Sequence, residues 1–250
     1  MTAPNPLLKV SSLTIRFGGL LAVNNVSFMV NNREILGIIG PNGAGKTTTF
    51  NAIAGAQRVT SGQIKIDDVS IVGRSPERVA RAGIARTFQT VRLFGELSVE
   101  ENITIAASTV EPSMTAARNK ARAVADKLSI TELLDANVSE LPLALQKKVE
   151  IARGLALSPR VLLLDEMMSG LTATETSEII SVIKGLNADG LTIVVIEHVI
   201  RVIIELADRV LVLDHGELIA EGEPRQVMRD KNVVRAYLGV SAARQFEEPD

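Results

Sequence analysis

The residues most able to do chemistry stand together in Gly40-Pro41-Asn42-Gly43-Ala44-Gly45-Lys46-Thr47-Thr48. They match G-x-x-x-x-G-K-[ST], a spacing with a mechanical reason: glycines let the backbone curl around phosphate oxygens with its N–H groups inward, where a Cβ would collide. Asn42, Gly43, Ala44, Gly45 and Thr48 supply the wrap. Lys46 is a point charge for the β- and γ-phosphates of a nucleotide, and the Thr47 hydroxyl suits a Mg²⁺ ion carried by them. An acidic pair, Asp165-Glu166, follows the apolar run Val161-Leu162-Leu163-Leu164.

Such a loop needs a strand to enter it and a helix to leave it, because a helix N-terminus favours an anion. Ile35–Ile39 is an apolar run of the length of a buried parallel strand. Thr47 to Ala54 reads as a helix, with Gly55 as its C-terminal stop. Leu7–Val10, Leu13–Phe17, Val26–Val30 and Gln63–Ile66 read as further strands, with turns at Gly18-Gly19 and Asp67-Asp68. Ser75 to Ala82 suits a short helix capped by Ser75, with Pro76 at its first position. From Val99 to about Ala156 the pattern is helical, with candidate helices at Thr115–Leu128, Ile130–Ala136 and Gln146–Leu157. Then come strand Val161–Leu164, helix Glu175–Leu186, strand Thr192–Ile196 and a hairpin of Arg209–Leu213 with Glu217–Ala220. A helix over Gln226–Tyr237 closes the pattern, and residues after Gly239 read as frayed.

Composition narrows the classes. The 250 residues carry a net charge of −2, so no general attraction to nucleic acid or anionic lipid is expected. There is no cysteine, which removes disulfide scaffolds and thiolate metal sites and suits the cytosol. Met1 to Lys9 lacks the plan of a signal peptide, and no apolar run approaches the ~20 residues of a membrane helix.

Taken in order, these features resemble the ATPase subunit of ABC transporters along almost the whole chain, with wording nearest the subfamily serving branched-chain amino-acid importers. The resemblance lies in Arg16-Phe17-Gly18-Gly19-Leu20, Gly83 to Gln89, Arg92-Leu93-Phe94, Val195-Ile196-Glu197-His198 and Arg235-Ala236-Tyr237-Leu238-Gly239. It implies an α/β fold: a phosphate-loop ATP-binding cassette with an antiparallel β-subdomain and an inserted helical subdomain. One domain is expected over 1–240, with its nucleotide-binding core and β-subdomain at about 1–90 and 158–225, the helical subdomain at 91–157, and a tail at 241–250. It also implies ATP and Mg²⁺ as cofactors. Phe17 is then similar to the aromatic stacked on adenine, with Val23 beside it. Asp165 is similar to the carboxylate holding the Mg²⁺ shell, Glu166 to the general base and His198 to the residue reaching the γ-phosphate. Gln89 is similar to the residue that contacts Mg²⁺ or lytic water and senses the membrane partner. Read singly, each has a plainer account: Phe17 as a core aromatic, His198 as structural, Gln89 as a loop residue, Asp165-Glu166 as a solvated strand end. Their order and spacing around Lys46 favour the joint reading.

One segment departs from the family wording. Where Leu-Ser-Gly-Gly-Gln opens the helix before the Asp-Glu strand, this chain reads Leu141-Pro142-Leu143-Ala144-Leu145, followed by Gln146-Lys147-Lys148. Pro142 lacks a hydroxyl and a backbone N–H, Leu143 adds bulk and Leu145 removes an amide. The donors that clamp a γ-phosphate from across a subunit pair are mostly gone. Met167 stands where proline is usual, Thr172 where aspartate is common, and Val199 where this subfamily often has aspartate. The expectation is a heterodimer with a second ABC ATPase subunit, one nucleotide site competent and the other impaired. The expected setting is cytoplasmic, on the inner face of the membrane, bound to integral-membrane permease subunits and served indirectly by a substrate-binding protein, with no nucleic acid. Two rivals are a weakly hydrolytic regulatory subunit and a non-transport ABC ATPase. The second is disfavoured by a single phosphate loop, no long heptad insert and no basic stripe.

Overall fold

The structure, a computed structural model, describes residues 6–87 and 92–243, with side chains to residue 237. It divides into two compact units, one of residues 1–75 with 192–250 and one of residues 76–191.

The first unit is built on two sheets. Strands β1 (Pro6–Phe17) and β2 (Leu20–Asn31) form a long antiparallel hairpin through Gly18-Gly19, and β4 (Ser61–Ile66) and β5 (Val69–Ser70) continue the sheet in the order β2-β1-β4-β5. The two short strands expected before Gly18 are thus one, kept continuous by register shifts between Val10 and Leu13 and between Leu13 and Ile15. The second sheet centres on β3 (Ile35–Ile39), buried throughout and parallel to both β8 (Thr192–Ile196) and β9 (Arg209–Asp214). Burial on both faces explains why these strands are unbroken apolar runs. Strand β10 (Glu217–Gly222) pairs antiparallel with β9. Helix α1 (Lys46–Ile53) is pinned by Phe50 and Ile53, both fully buried. Each such side chain contributes roughly 2–3 kcal/mol of apolar burial.

A polar knot fixes the entry to β3. Arg209 at the start of β9 bridges Glu34 bidentately, at 2.7 and 3.1 Å, donates to the Met29 carbonyl at 2.6 Å and pairs with Glu221 of β10. Burial works against the Arg209 charge, but the bonds to Glu34 and Glu221 outweigh it and hold the guanidinium above its ordinary range. Asp208 accepts the Ile35 N–H at 2.8 Å.

The second unit contains α2 (Pro76–Arg81), the parallel pair β6 (Ile84–Arg86) and β7 (Val161–Asp165), and a helical group of α3 (Val99–Ala107), α4 (Met114–Lys127), α5 (Leu143–Ala156) and α6 (Ala173–Ala188). Helices α3 and α6 each open on a capping box, Ser98 with Glu101 and Thr172 with Glu175.

Several elements differ from the pattern reading. Ile130–Ala136 is not a helix: only a 3₁₀ turn at Thr131–Leu133 forms, because Ser129 takes a positive φ of 54° and Asn137 already caps the next turn. Helix α5 starts at Leu143 rather than Gln146, with Pro142 at its N-cap, a place where proline costs no hydrogen bond. A short strand, β6, and a short helix, α7 (Ile200–Leu206), were too brief to show a period. The closing helix is two: α8 (Pro224–Val227), opened by Glu223 accepting from Arg225 and Gln226 N–H, and α9 (Lys231–Ala243), which runs beyond Gly239.

Candidate functional site

In the first unit the loop after β3 turns sharply into α1. Gly40, Gly43 and Gly45 have φ of 147°, 81° and 97°, all in the region open to glycine. A Cβ on Gly40 would lie 2.0 Å from the Leu213 carbonyl oxygen, and one on Gly45 would lie 2.5 Å from the Ala22 carbonyl oxygen. The loop is therefore threaded between β9 and β2 with no room for side chains. Gly43 has open space beside it, which leaves its face of the loop clear for a ligand.

Lys46 is 5% exposed, and its ammonium donates to the Gly40 carbonyl at 2.8 Å and the Pro41 carbonyl at 3.0 Å. The charge is held over the loop that the backbone curls around. Thr49 donates its hydroxyl to the Gly45 carbonyl at 3.0 Å, so it serves the helix itself. Thr47 is exposed and Thr48 half-buried, leaving the Thr47 hydroxyl at the surface of the helix start. Gly216 N–H donates to the Ala44 carbonyl and Asn24 N–H to the Gly216 carbonyl, tying the β9–β10 turn and β2 to the loop. These features fit a bound nucleotide phosphate: an open concave face, a buried ammonium and an exposed hydroxyl at a helix N-terminus.

Val23 is fully buried, and its Cγ2 lies 3.4 Å from where a Gly45 Cβ would be. Phe17, at the end of β1, is 46% exposed and is no core aromatic. His198 is exposed, between β8 and Val199 at the N-cap of α7, while Glu197 before it is buried. A cavity of about 740 Å³ is lined by the loop residues Asn42 and Gly43 together with His215, Asn232 and Arg235, among others. At the same end of α9 the Tyr237 phenol makes a hydrogen-bonding contact with the Gly40 backbone, and burial pushes its pKa up against that bond. In the sequence Tyr237 is only one residue of the Arg235–Gly239 resemblance, and its tie to the loop is not legible there.

In the second unit Asp165 ends β7 and Glu166 follows at φ 50°, an uncommon conformation for a residue with a Cβ. Asp165 is fully buried and pairs with Arg86, Nη2 to Oδ2 at 2.7 Å, across the parallel strands β6 and β7. Its N–H donates to the Thr87 hydroxyl at 3.3 Å. Gln89 lies outside the described residues. Among the described residues no cluster of three or more His, Cys, Asp or Glu could hold a metal by itself. The exposed Thr47 hydroxyl of the first unit and the Asp165 carboxylate of the second are each single oxygen donors of the kind a magnesium ion takes when phosphate and water supply the rest. Pro142, the N-cap of α5, makes no side-chain cap bond, and Leu143 is 40% exposed. No helix among the described residues is long and apolar enough to cross a membrane.

Comparison with known proteins is consistent across the chain. A family model described as ABC transporter matches residues 23–169, and one described as branched-chain amino acid ATP-binding cassette transporter matches residues 217–243. Among relatives, the chain is 36% identical to the high-affinity branched-chain amino acid transport ATP-binding protein BraF of Pseudomonas aeruginosa and 38% to LivG of Escherichia coli, covering 94% of this chain and 98% of each relative. It is 34% identical to the lipopolysaccharide export system ATP-binding protein LptB of Escherichia coli, over 93% of this chain and 97% of LptB. A crystal structure of an ATP-binding cassette of an ABC transporter in its ADP conformation superposes with a TM-score of 0.86 at 30% identity, covering 94% and 99% of the two chains.

Proposed function

The chain belongs to the ABC transporter ATPase family, whose members hydrolyse ATP to power transport, and from that premise we propose that it drives an importer of branched-chain amino acids or a related small solute. The observation that carries the ATP-binding part is the loop after β3: positive-φ glycines curled under a buried Lys46 at the start of α1. The substrate class rests on the matched segment at residues 217–243 and on what BraF and LivG are named for; the likeness to LptB keeps export of another cargo as the second reading.

In the proposed mechanism Lys46 and the loop N–H groups neutralise the β- and γ-phosphates of ATP, and Phe17 stacks on adenine beside Val23. Thr47, Asp165 and Gln89 would hold Mg²⁺, which when bound screens the phosphate charge. Glu166 takes a proton from the attacking water, and His198 steadies the γ-phosphate. Closure of a subunit pair would be passed through the segment around Gln89 and the helical group to membrane-embedded permease subunits. The chain would then lie on the cytoplasmic face of the membrane, with a substrate-binding protein on the other side.

We further propose that the pair is a heterodimer. What supports this is the start of α5, where Pro142 and an exposed Leu143 replace the donors that a facing phosphate needs. This chain's own Lys46, Asp165, Glu166 and His198 would fire against a partner with intact donors. A homodimer would hold two poor sites. ATPase measurement of the purified chain alone, then with its co-purified subunits, tests this: weak turnover alone and strong turnover together are expected, and vigorous turnover alone refutes it. Glu166→Gln separates the regulatory alternative, since survival of both ATPase and transport would remove Glu166 as the base.

A further inference from the structure

The turn after Glu166 is built on α5. Lys147 is 3% exposed, and its ammonium donates to the Met167 carbonyl at 2.7 Å and the Ser169 carbonyl at 2.5 Å. Four residues earlier on the same face of α5, Leu143 places Cδ2 3.0 Å from where a Cβ on Gly170 would sit, and Gly170 itself has φ 79°. The Ser169 N–H closes the turn onto the Glu166 carbonyl at 3.3 Å, and the Leu171 N–H closes the next onto Met168 at 3.2 Å. Glu166 enters this turn at φ 50°, a conformation that a side chain makes unfavourable and that persists only where its surroundings impose it. No proline follows to fix its backbone, since residue 167 is methionine.

A buried ammonium gripping two carbonyls, spaced two residues apart just after a strained carboxylate, acts as a strut. From this geometry we propose that Lys147 is a positioning residue for Glu166, with Leu143 as the second foot of the same support. Leu143, although 40% exposed, thereby also packs against this chain's own catalytic turn. This inference rests on the reading of Glu166 as the base. A carboxylate displaced by about 1 Å from its water loses on the order of 10²-fold in rate, so the strut acts on turnover rather than on nucleotide grip, which belongs to Lys46.

The test uses the full chain with its co-purified subunits. Lys147→Met is expected to raise amide hydrogen exchange of residues 166–171 about tenfold while α5 keeps its protection. It should also lower kcat by roughly 10–100-fold with ATP affinity within about twofold. Lys147→Arg should restore part of kcat. In a Glu166→Gln background, adding Lys147→Met should change residual turnover less than about twofold, because a support has nothing left to aim. If Lys147→Met does not fold, Leu143→Ala supplies the same readouts at a half-exposed position, with a smaller effect expected. Unchanged exchange over 166–171, or an equal fall in kcat with and without Glu166, overturns the strut. Full turnover by Glu166→Gln instead overturns the base assignment and leaves the exchange result to judge the strut.

Discussion

Arg86→Met is the perturbation whose size the structure fixes most closely. Arg86 and Asp165 are 10% and 1% exposed at the side chain, with Nη2 and Oδ2 2.7 Å apart. Methionine keeps much of the stem volume and removes the charge, leaving a carboxylate beneath β6 without its guanidinium. With charge centres about 4 Å apart, the attraction is about 4 kcal/mol at an effective dielectric of 20. Breaking one side of a buried pair costs about 3–5 kcal/mol, because the remaining charge has been removed from water. Against a total of about 5–15 kcal/mol for a folded domain, that is a large fraction. Urea unfolding followed by circular dichroism is the assay. With a slope near 3 kcal/mol per molar for a chain of this size, the midpoint should fall by about 1–1.7 M. The double variant Arg86→Met/Asp165→Asn removes both charges and should regain most of the loss. A single variant that loses less than about 1 kcal/mol, or a double variant as damaged as the single, would falsify the ion-pair account.

Other outcomes follow from the same geometry. Gly40→Ala would drive a Cβ to 2.0 Å from the Leu213 carbonyl oxygen, so expression should yield little folded protein; a normal thermal transition with intact ATP binding would show that β9 yields there. Lys46→Ala should cut ATP affinity by at least about tenfold in a fluorescent-nucleotide titration, by loss of a charge-assisted bond, and undiminished affinity would remove the phosphate site altogether. The Glu175 carboxyl is held below its ordinary value first by the Thr172 N–H and then by the Thr172 hydroxyl. Its support of α6 is thus whole above about pH 4.3 and lost as pH falls through the lower folded value. Thr172→Ala should raise that carboxyl's titration only part-way in an NMR measurement, since the N–H remains; no movement would show that the hydroxyl contributes nothing.

What the sequence by itself determined is the chemistry that one short stretch can carry. The loop Gly40–Thr48 and the apolar runs of β3, β7 and β8 are legible because their spacing is set by local backbone geometry and by burial on both faces. The capping glycines and the β9–β10 turn are legible for the same reason. Brief elements such as β6 and α7 are not, for three to seven residues hold too little period, and Ile130–Ala136 has a helical composition that Ser129 and Asn137 override. Tertiary structure alone decided which groups hold the reactive ones. Arg86 reaches Asp165 across 79 residues, Lys147 reaches Met167 across 20, and Tyr237 comes back to Gly40 at the chain's far end. In the sequence each is an ordinary lysine, arginine or tyrosine, because a partner brought near by folding leaves no mark on the residues around it. Only burial, which makes an unmatched charge or polar group costly, turns those three into supports.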